Sequence, residues 1–315
     1  MKNCIITGGA GFVASHLIER IQNDYDTIYI IDNLVRTNST RHIDIFIKNN
    51  KKFKFLHGDV SIFDFSVCKN VVHFYHLAAT RINRCVMYNK EGHMYIADGG
   101  FNVVDYCAKN KIKLFFSSTA SVYNSPKRFP IEEEDPCVPH TIYGASKYYT
   151  EGLIRSYDKM YGMDYTINRF FCIYGDKMDN NGVYTEVVFN WLNNIKHGNN
   201  QIVVYGNPDE KILDLIYVSD IVDAIVTSMY NSNKQVFNVS TETGITLTNL
   251  IDTIEQVTNT KLIRDIVPEI RNDIELKRVG SVKKLKSIGW TQKVSLEQGL
   301  KNTYNWILSL CKLHF

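Results

Sequence analysis

A chain of 315 residues that is 44% hydrophobic is long enough for about two domains and has ample apolar material for packed cores. Its formal charge of +3 (36 Lys+Arg against 33 Asp+Glu) comes with no basic block, RNP-like aromatic pattern or zinc-finger spacing, which argues against nucleic acid as a partner. Seven scattered cysteines, never paired as C-x-x-C, fit reduced thiols in a cytosol; with no leader before "MKNCIITGGAG" and no apolar run near the roughly 20 residues a bilayer requires, we expect a cytoplasmic protein with no membrane partner.

In chain order, short apolar runs alternate with stretches of helical period. "NCIITG" (3–8) predicts a strand and 12–23 a helix; "TIYIIDN" (27–33), "KFKFLHGD" (52–59) and "VVHFYHLAA" (71–79) predict three further strands. A helix is expected over 94–110, a strand at "IKLFFSST" (112–119), a helix through 146–161 ending at Gly162, and a strand at "DYTINRFF" (164–171). Beyond about residue 170 the pattern loosens, with a strand and helix at "LDLIYVSDIVDAIVTSMY" and a closing helix from Ser295. Strands separated by crossover helices imply an α/β fold, a doubly wound parallel sheet of Rossmann type. We expect it over 1–170 with a return near 214–238, and a smaller carboxy-terminal α/β domain over 171–315. "KRVGSVKKLK" reads as a solvated helical face, "EEED" (132–135) as a solvated loop, and the scattered histidines predict no metal site.

"CIITGGAGFVAS" reads as a strand, a glycine turn and the start of a helix, with Gly9-x-Gly11-x-x-Ala14 as its fingerprint. Glycines let the backbone approach a pyrophosphate, which then sits on the free N–H groups of the helix N-terminus. Asp32 follows about 20 residues on, where a carboxylate binds the adenosine ribose 2′-OH. It also repels the 2′-phosphate of NADP, so NAD is the predicted cofactor, with Arg36 the nearby group that pulls the other way.

"HTIYGASKYYTEG" (140–152) sets Tyr143 four residues before Lys147, side by side on one helix face. An ammonium beside a phenol favours the phenolate and brings it toward the range of a general base. The same spacing fits a core tyrosine beside a solvated lysine, and it recurs in "YNSPK" (123–127) and "YNSNK" (230–234), where Pro126 or Asn/Ser punctuation argues against a helix.

Together these segments resemble the extended short-chain dehydrogenase/reductase family, specifically its nucleotide-sugar epimerases and dehydratases. The matching motifs are "TGGAGFVAS", "DNL" at Asp32, "GDV" at Gly58, "HLAA" at His76, "FSSTASVY" at Phe116, "YGASK" at Tyr143, "YGDKMDNNGVYTEV" at Tyr174 and the segment from Gly280. The resemblance implies that Gly8, Gly11, Phe12, Val13 and Ala14 hold the pyrophosphate, Asp32 and Asn33 the ribose, and Asp59 and Val60 the adenine. Leu77, Ala78 and Ala79 would line the middle of the cofactor, with Ser117 and Lys147 also in contact. Tyr143 would be the base, Lys147 would tune it, and Thr119 would hydrogen-bond the sugar hydroxyl. Arg81, Cys172, Arg271 and Arg278 complete the implied substrate contacts, and a homodimer would form through the helices around Val103 and Leu153.

The resemblance also narrows the chemistry. The 4,6-dehydratases carry one or two acids just after the threonine, whereas this chain has Ala120 and Ser121. It implies an NAD-dependent 4-epimerase of a nucleotide sugar in surface polysaccharide biosynthesis, with a net 4-dehydrogenase, on a GDP-linked hexose or heptose for example, as the alternative. Intact Thr119, Tyr143 and Lys147 argue against a non-catalytic NAD-binding protein. Ile96, Cys172 and Leu213 stand where the family usually has polar groups; Ile96 reads as drift at a tolerant site, while Cys172 and Leu213 together lead us to expect that the sugar nucleotide is held differently.

Overall fold

The computed structural model describes residues 1–35, 38–48, 50–80, 82–123, 126, 128–178, 187–269 and 277–310. The amino-terminal part runs β1 (Asn3–Thr7), α1 (Phe12–Ile21), β2 (Thr27–Asp32), α2 (Asp44–Ile47), β3 (Phe53–His57), β4 (Val71–His76), α3 (Ile82–Met87), α4 (Asn89–Asn110), β5 (Lys113–Thr119), α5 (Ile142–Tyr161) and β6 (Tyr165–Phe170). Then follow β7 (Cys172–Tyr174), α6 (Val187–Lys196), β8 (Gln201–Tyr205), β9 (Ile212–Leu213), β10 (Leu215–Tyr217), α7 (Val218–Asn231) and β11 (Gln235–Val239). The chain closes with β12 (Ile245–Thr246), α8 (Leu247–Thr258), β13 (Ile263–Val267), α9 (Lys283–Ser287) and α10 (Leu296–Ser309).

Seven strands form one sheet in the order β11-β6-β5-β4-β1-β2-β3, every neighbouring pair parallel. A parallel sheet is covered on both faces, which is why β1, β5 and β6 are buried almost throughout. α1 and α7 pack on one face around Leu17, Ile30, Tyr75 and Ile225, and α4 and α5 cover the other around Ile5, Phe74, Val103 and Ile154. The strand order reverses at β1, between β2 and β4, and the crevice outside the carboxyl ends at such a reversal is where this architecture binds ligands. A further apolar cluster joins α6, α8 and α10 to β8, and Phe12 of α1 reaches into it.

Each of the six predicted amino-terminal strands is present, and α1, α4 and α5 cover the three predicted helices. α4 starts five residues earlier than expected, at Asn89, because Gly92 lets it pass the Cys85 backbone, where a Cβ would lie 2.8 Å away. Two bland readings need correction. Of "KRVGSVKKLK" only the last four residues are helical, in α9; Gly280, Ser281, Val282 and Leu285 are buried, and Ser281 N–H donates to the Ile131 carbonyl at 2.7 Å. In "EEED", Glu133 accepts from the Asn238 N–H at 2.7 Å, tying that loop to β11. Among the described residues, no helix is long and apolar enough to cross a membrane and no group of three His, Cys, Asp or Glu could hold a metal ion.

Candidate active site

The glycine turn leaves β1 at Gly8, which adopts φ +67, a left-handed conformation that glycine takes without strain. A Cβ on Gly8 would fall 2.8 Å from the backbone N and Cα of Ala78, so the turn and the segment after β4 lie against each other. Thr7 links them: its carbonyl accepts from Leu77 N–H at 3.2 Å, and its hydroxyl meets His76 Nδ1 at 2.8 Å. Gly11 is the N-cap of α1, with no side chain capping the first turn. The Phe12 side chain is buried in the cluster with α6 and α10, and Val13 packs beside it, so both could meet a pyrophosphate only through the main chain.

Asp32 ends β2 with Oδ2 accepting from Ala10 N–H at 3.0 Å and Oδ1 from Leu34 N–H at 2.8 Å, which fixes the carboxylate beside the glycine turn. Asn33 Nδ2 donates to Asp59 Oδ2 at 3.0 Å, joining the ribose and adenine positions. Burial pushes the Asp59 carboxyl up, but the Ser61 hydroxyl and N–H and Asn33 outweigh it and hold it below the usual range. Val60 is buried against Gly99, where a Cβ would lie 2.7 Å from Val60 Cγ1, and its carbonyl accepts from Asn102 Nδ2 at 2.9 Å. This cradle, its aligned carboxylate and a buried Thr80 hydroxyl with no hydrogen-bond partner among the described residues fit a dinucleotide. Arg36, the group weighed against Asp32, lies outside the described residues.

Thr141 caps α5 by accepting from Gly144 N–H at 3.0 Å, so Tyr143 falls in the first turn and Lys147 one turn on. Gly144 meets the turn after β5: a Cβ there would sit 2.3 Å from the Ser121 carbonyl. That close approach brings the start of α5 against the segment carrying Thr119. Lys147 is 1% exposed; its Nζ donates to the Ser117 carbonyl at 2.7 Å and lies 4.8 Å from the centre of the Phe116 ring. Burial lowers its ammonium to about 7. The solvated-lysine alternative is therefore excluded. His76 stacks on the other side of this cluster, against Phe116, and burial with Lys147 nearby pushes it down to about 3.

Of the residues expected to meet substrate, Cys172 opens β7 beside Leu215, and its N–H donates to the Asp214 carbonyl at 3.1 Å. Leu213 precedes Asp214, and Arg278 N–H donates to the neighbouring Ile212 carbonyl at 3.0 Å. Asp214 is the hub: its buried carboxylate accepts from Thr241 N–H (2.6 Å), Thr241 Oγ1 (2.7 Å) and Gly280 N–H (3.3 Å), and burial raises it to about 6. The backbone of Cys172 and that of Arg278 thus meet the strand segment 212–214. Ile96 is buried in α4, and Arg81 and Arg271 lie outside the described residues.

Sequence reasoning passed over Asn102, Asp214 and the buried ion pair of Glu151 with Arg169. Glu151 carried a usable signal, standing four residues after Lys147 on the same helical face, whereas Asp214 and Arg169 sit inside apolar runs that read only as strands.

The fold is that of the extended short-chain dehydrogenase/reductase type. The model of the NAD dependent epimerase/dehydratase family matches residues 4–240; the chain belongs to this family, and its cofactor is NAD. It is 29% identical over 317 residues to a Methanocaldococcus jannaschii protein provisionally named UDP-glucose 4-epimerase, covering 96% of this chain and 97% of the other. A UDP-glucose 4-epimerase structure with UDP-glucose from Thermotoga maritima is similar at TM-score 0.89 and 27% identity, covering 98% of this chain and 99% of that one. A UDP-N-acetyl-alpha-D-glucosaminuronate decarboxylase of Bacillus cytotoxicus is 27% identical over 336 residues, covering 97% of each chain.

Proposed function

We propose that the protein is an NAD-dependent oxidoreductase acting at C4 of a nucleotide-activated sugar, as a 4-epimerase in polysaccharide biosynthesis. Residues 1–170 with the return near 214–238 would form the cofactor half and the remainder the substrate half. The observation that carries the reading is the buried Lys147 ammonium held on the Ser117 carbonyl, one turn after Tyr143 on a helix whose start meets the turn following Thr119. When bound, NAD supplies the hydride acceptor and donor. Tyr143 takes the proton of the sugar hydroxyl as general base, Lys147 favours the phenolate, and Thr119 orients that hydroxyl. Gly8, Gly11, Asp32, Asn33, Asp59, Val60 and Leu77–Ala79 would hold the cofactor.

Ala120 and Ser121, both buried after Thr119, offer no ionisable side chain to protonate a leaving hydroxyl, which argues against a 4,6-dehydratase. A net 4-dehydrogenase is the second reading, favoured by Cys172 and Leu213, a thiol and an apolar chain where the resemblance leads one to expect polar substrate contacts. Incubation with UDP-, GDP- and dTDP-sugars, following product by NMR and NADH by absorbance, tests both. The C4 epimer without free ketone is the expected result; a released 4-keto sugar with accumulated NADH selects the dehydrogenase, and loss of water refutes both.

A further inference from the structure

The carboxylate of Glu151 lies beneath this site in full burial, one helical turn beyond Lys147. Its Oε1 accepts from Ser118 Oγ at 2.5 Å and Arg169 Nε at 3.0 Å; its Oε2 accepts from Arg169 at 2.7 Å and Arg155 at 3.2 Å. Burial pushes the carboxyl up, but Arg169 and Ser118 outweigh it and hold the group ionised. Ser118 and Arg169 are Cα partners across β5 and β6, so two strands and a helix meet at one carboxylate. Arg169 also donates to the Tyr123 hydroxyl at 2.7 Å and the Glu133 carbonyl at 3.0 Å, and Tyr123 donates to Asn238 Oδ1 at 2.7 Å. Thr119 is therefore bracketed: Ser118 just before it and Tyr123 four residues after it are both fixed to this ion pair. The end of β5 is stitched to α5 twice, by Ser117 to Lys147 and by Ser118 to Glu151.

We propose that Glu151 is a positioning residue for proton transfer: locked by Arg169, it holds the end of β5 against α5 and so sets Thr119, Tyr143 and Lys147 relative to one another. This rests on the function proposed above. A buried pair is no more stable than apolar residues of similar volume, so stability alone does not account for an ion pair here. Besides Tyr143, the titratable groups acting on the Lys147 ammonium among the described residues include Cys85 from α3, Glu151 from its own helix and His76 from β4. Burial pushes Cys85 up to about 11 and His76 down to about 3, which leaves both uncharged near neutral pH and Glu151 as the charge that Lys147 meets.

The test uses the NAD-loaded protein and the tyrosinate difference spectrum between each variant and the same variant carrying Tyr143→Phe. Glu151→Met/Arg169→Met removes both charges together, since either alone would strand a buried charge. The Tyr143 midpoint is expected to rise by about one pH unit, about tenfold less phenolate at a given pH, with NAD still bound. Ser118→Ala keeps the ion pair and is expected to move the midpoint the same way by about half a unit, roughly threefold. If the doubly substituted protein does not fold, Ser118→Ala decides alone. Unchanged midpoints in the folded variants overturn the proposal. Adding UDP-glucose or UDP-galactose to the unsubstituted enzyme and following the C4 epimer by NMR, with NADH by absorbance, tests the functional reading separately, because the titration needs no substrate.

Discussion

Replacing Lys147 by Met should reveal what burying that ammonium does to stability. The ordinary lysine value of 10.5 drops to about 7 in the folded chain, which at about 1.4 kcal/mol per pH unit is about 5 kcal/mol. The sign follows from proton counts. Between those two values the unfolded chain holds the lysine proton and the folded chain has lost it, so stability rises with pH across the window and is flat below it. From about pH 7.5 to about pH 9 the unsubstituted protein should gain about 2 kcal/mol that Lys147→Met lacks. Cys85 and His76 are present in both proteins, so their own linkage cancels in the difference. The substitution leaves the Ser117 carbonyl without its donor, which is a constant offset and not a slope. Urea unfolding of both proteins, stripped of NAD, at several pH values reads the difference directly. Parallel curves would refute the reasoning and show that the ammonium is as well solvated as in the unfolded chain.

Tyr143→Phe should keep NAD binding and lower turnover by about 100-fold or more; near-normal turnover in the sugar assay would remove Tyr143 as the base. The Asp32 carboxylate, aligned by Ala10 and Leu34, should favour NAD over NADP by at least about tenfold, about 1.4 kcal/mol, and equal affinities in a fluorescence titration would contradict that role. Gly8→Ala should weaken NAD binding far more than Gly162→Ala, because both glycines have positive φ but only at Gly8 would a Cβ strike backbone, 2.8 Å from Ala78; equal effects would count against the cradle. A homodimer is expected through the outer faces of α4 and α5, where Met94, Phe101, Tyr149 and Met160 are exposed, and light scattering at a mass near 36.3 kDa would rule it out.

The sequence by itself determined the order of elements through β6 and the local motifs expected to hold the cofactor. Strands buried on both faces must be written as continuous apolar runs, and the glycine turn, Asp32 and the Tyr143–Lys147 spacing are local features set within a few residues of chain. Local spacing could not say whether Lys147 was solvated or buried. That depended on where β5 ends relative to α5, which Gly144 permits by its contact with Ser121. Val103 and Leu153, around which the pairing helices were placed, themselves pack toward the sheet, and the exposed apolar residues of these helices are their neighbours. Only tertiary structure decided that Glu151 and Arg169, 18 residues apart, share two hydrogen bonds, and that Asp214 gathers Thr241 and Gly280. A buried charge is tolerated only when distant parts of the chain supply its partners, and their positions are set by the packing of the whole sheet.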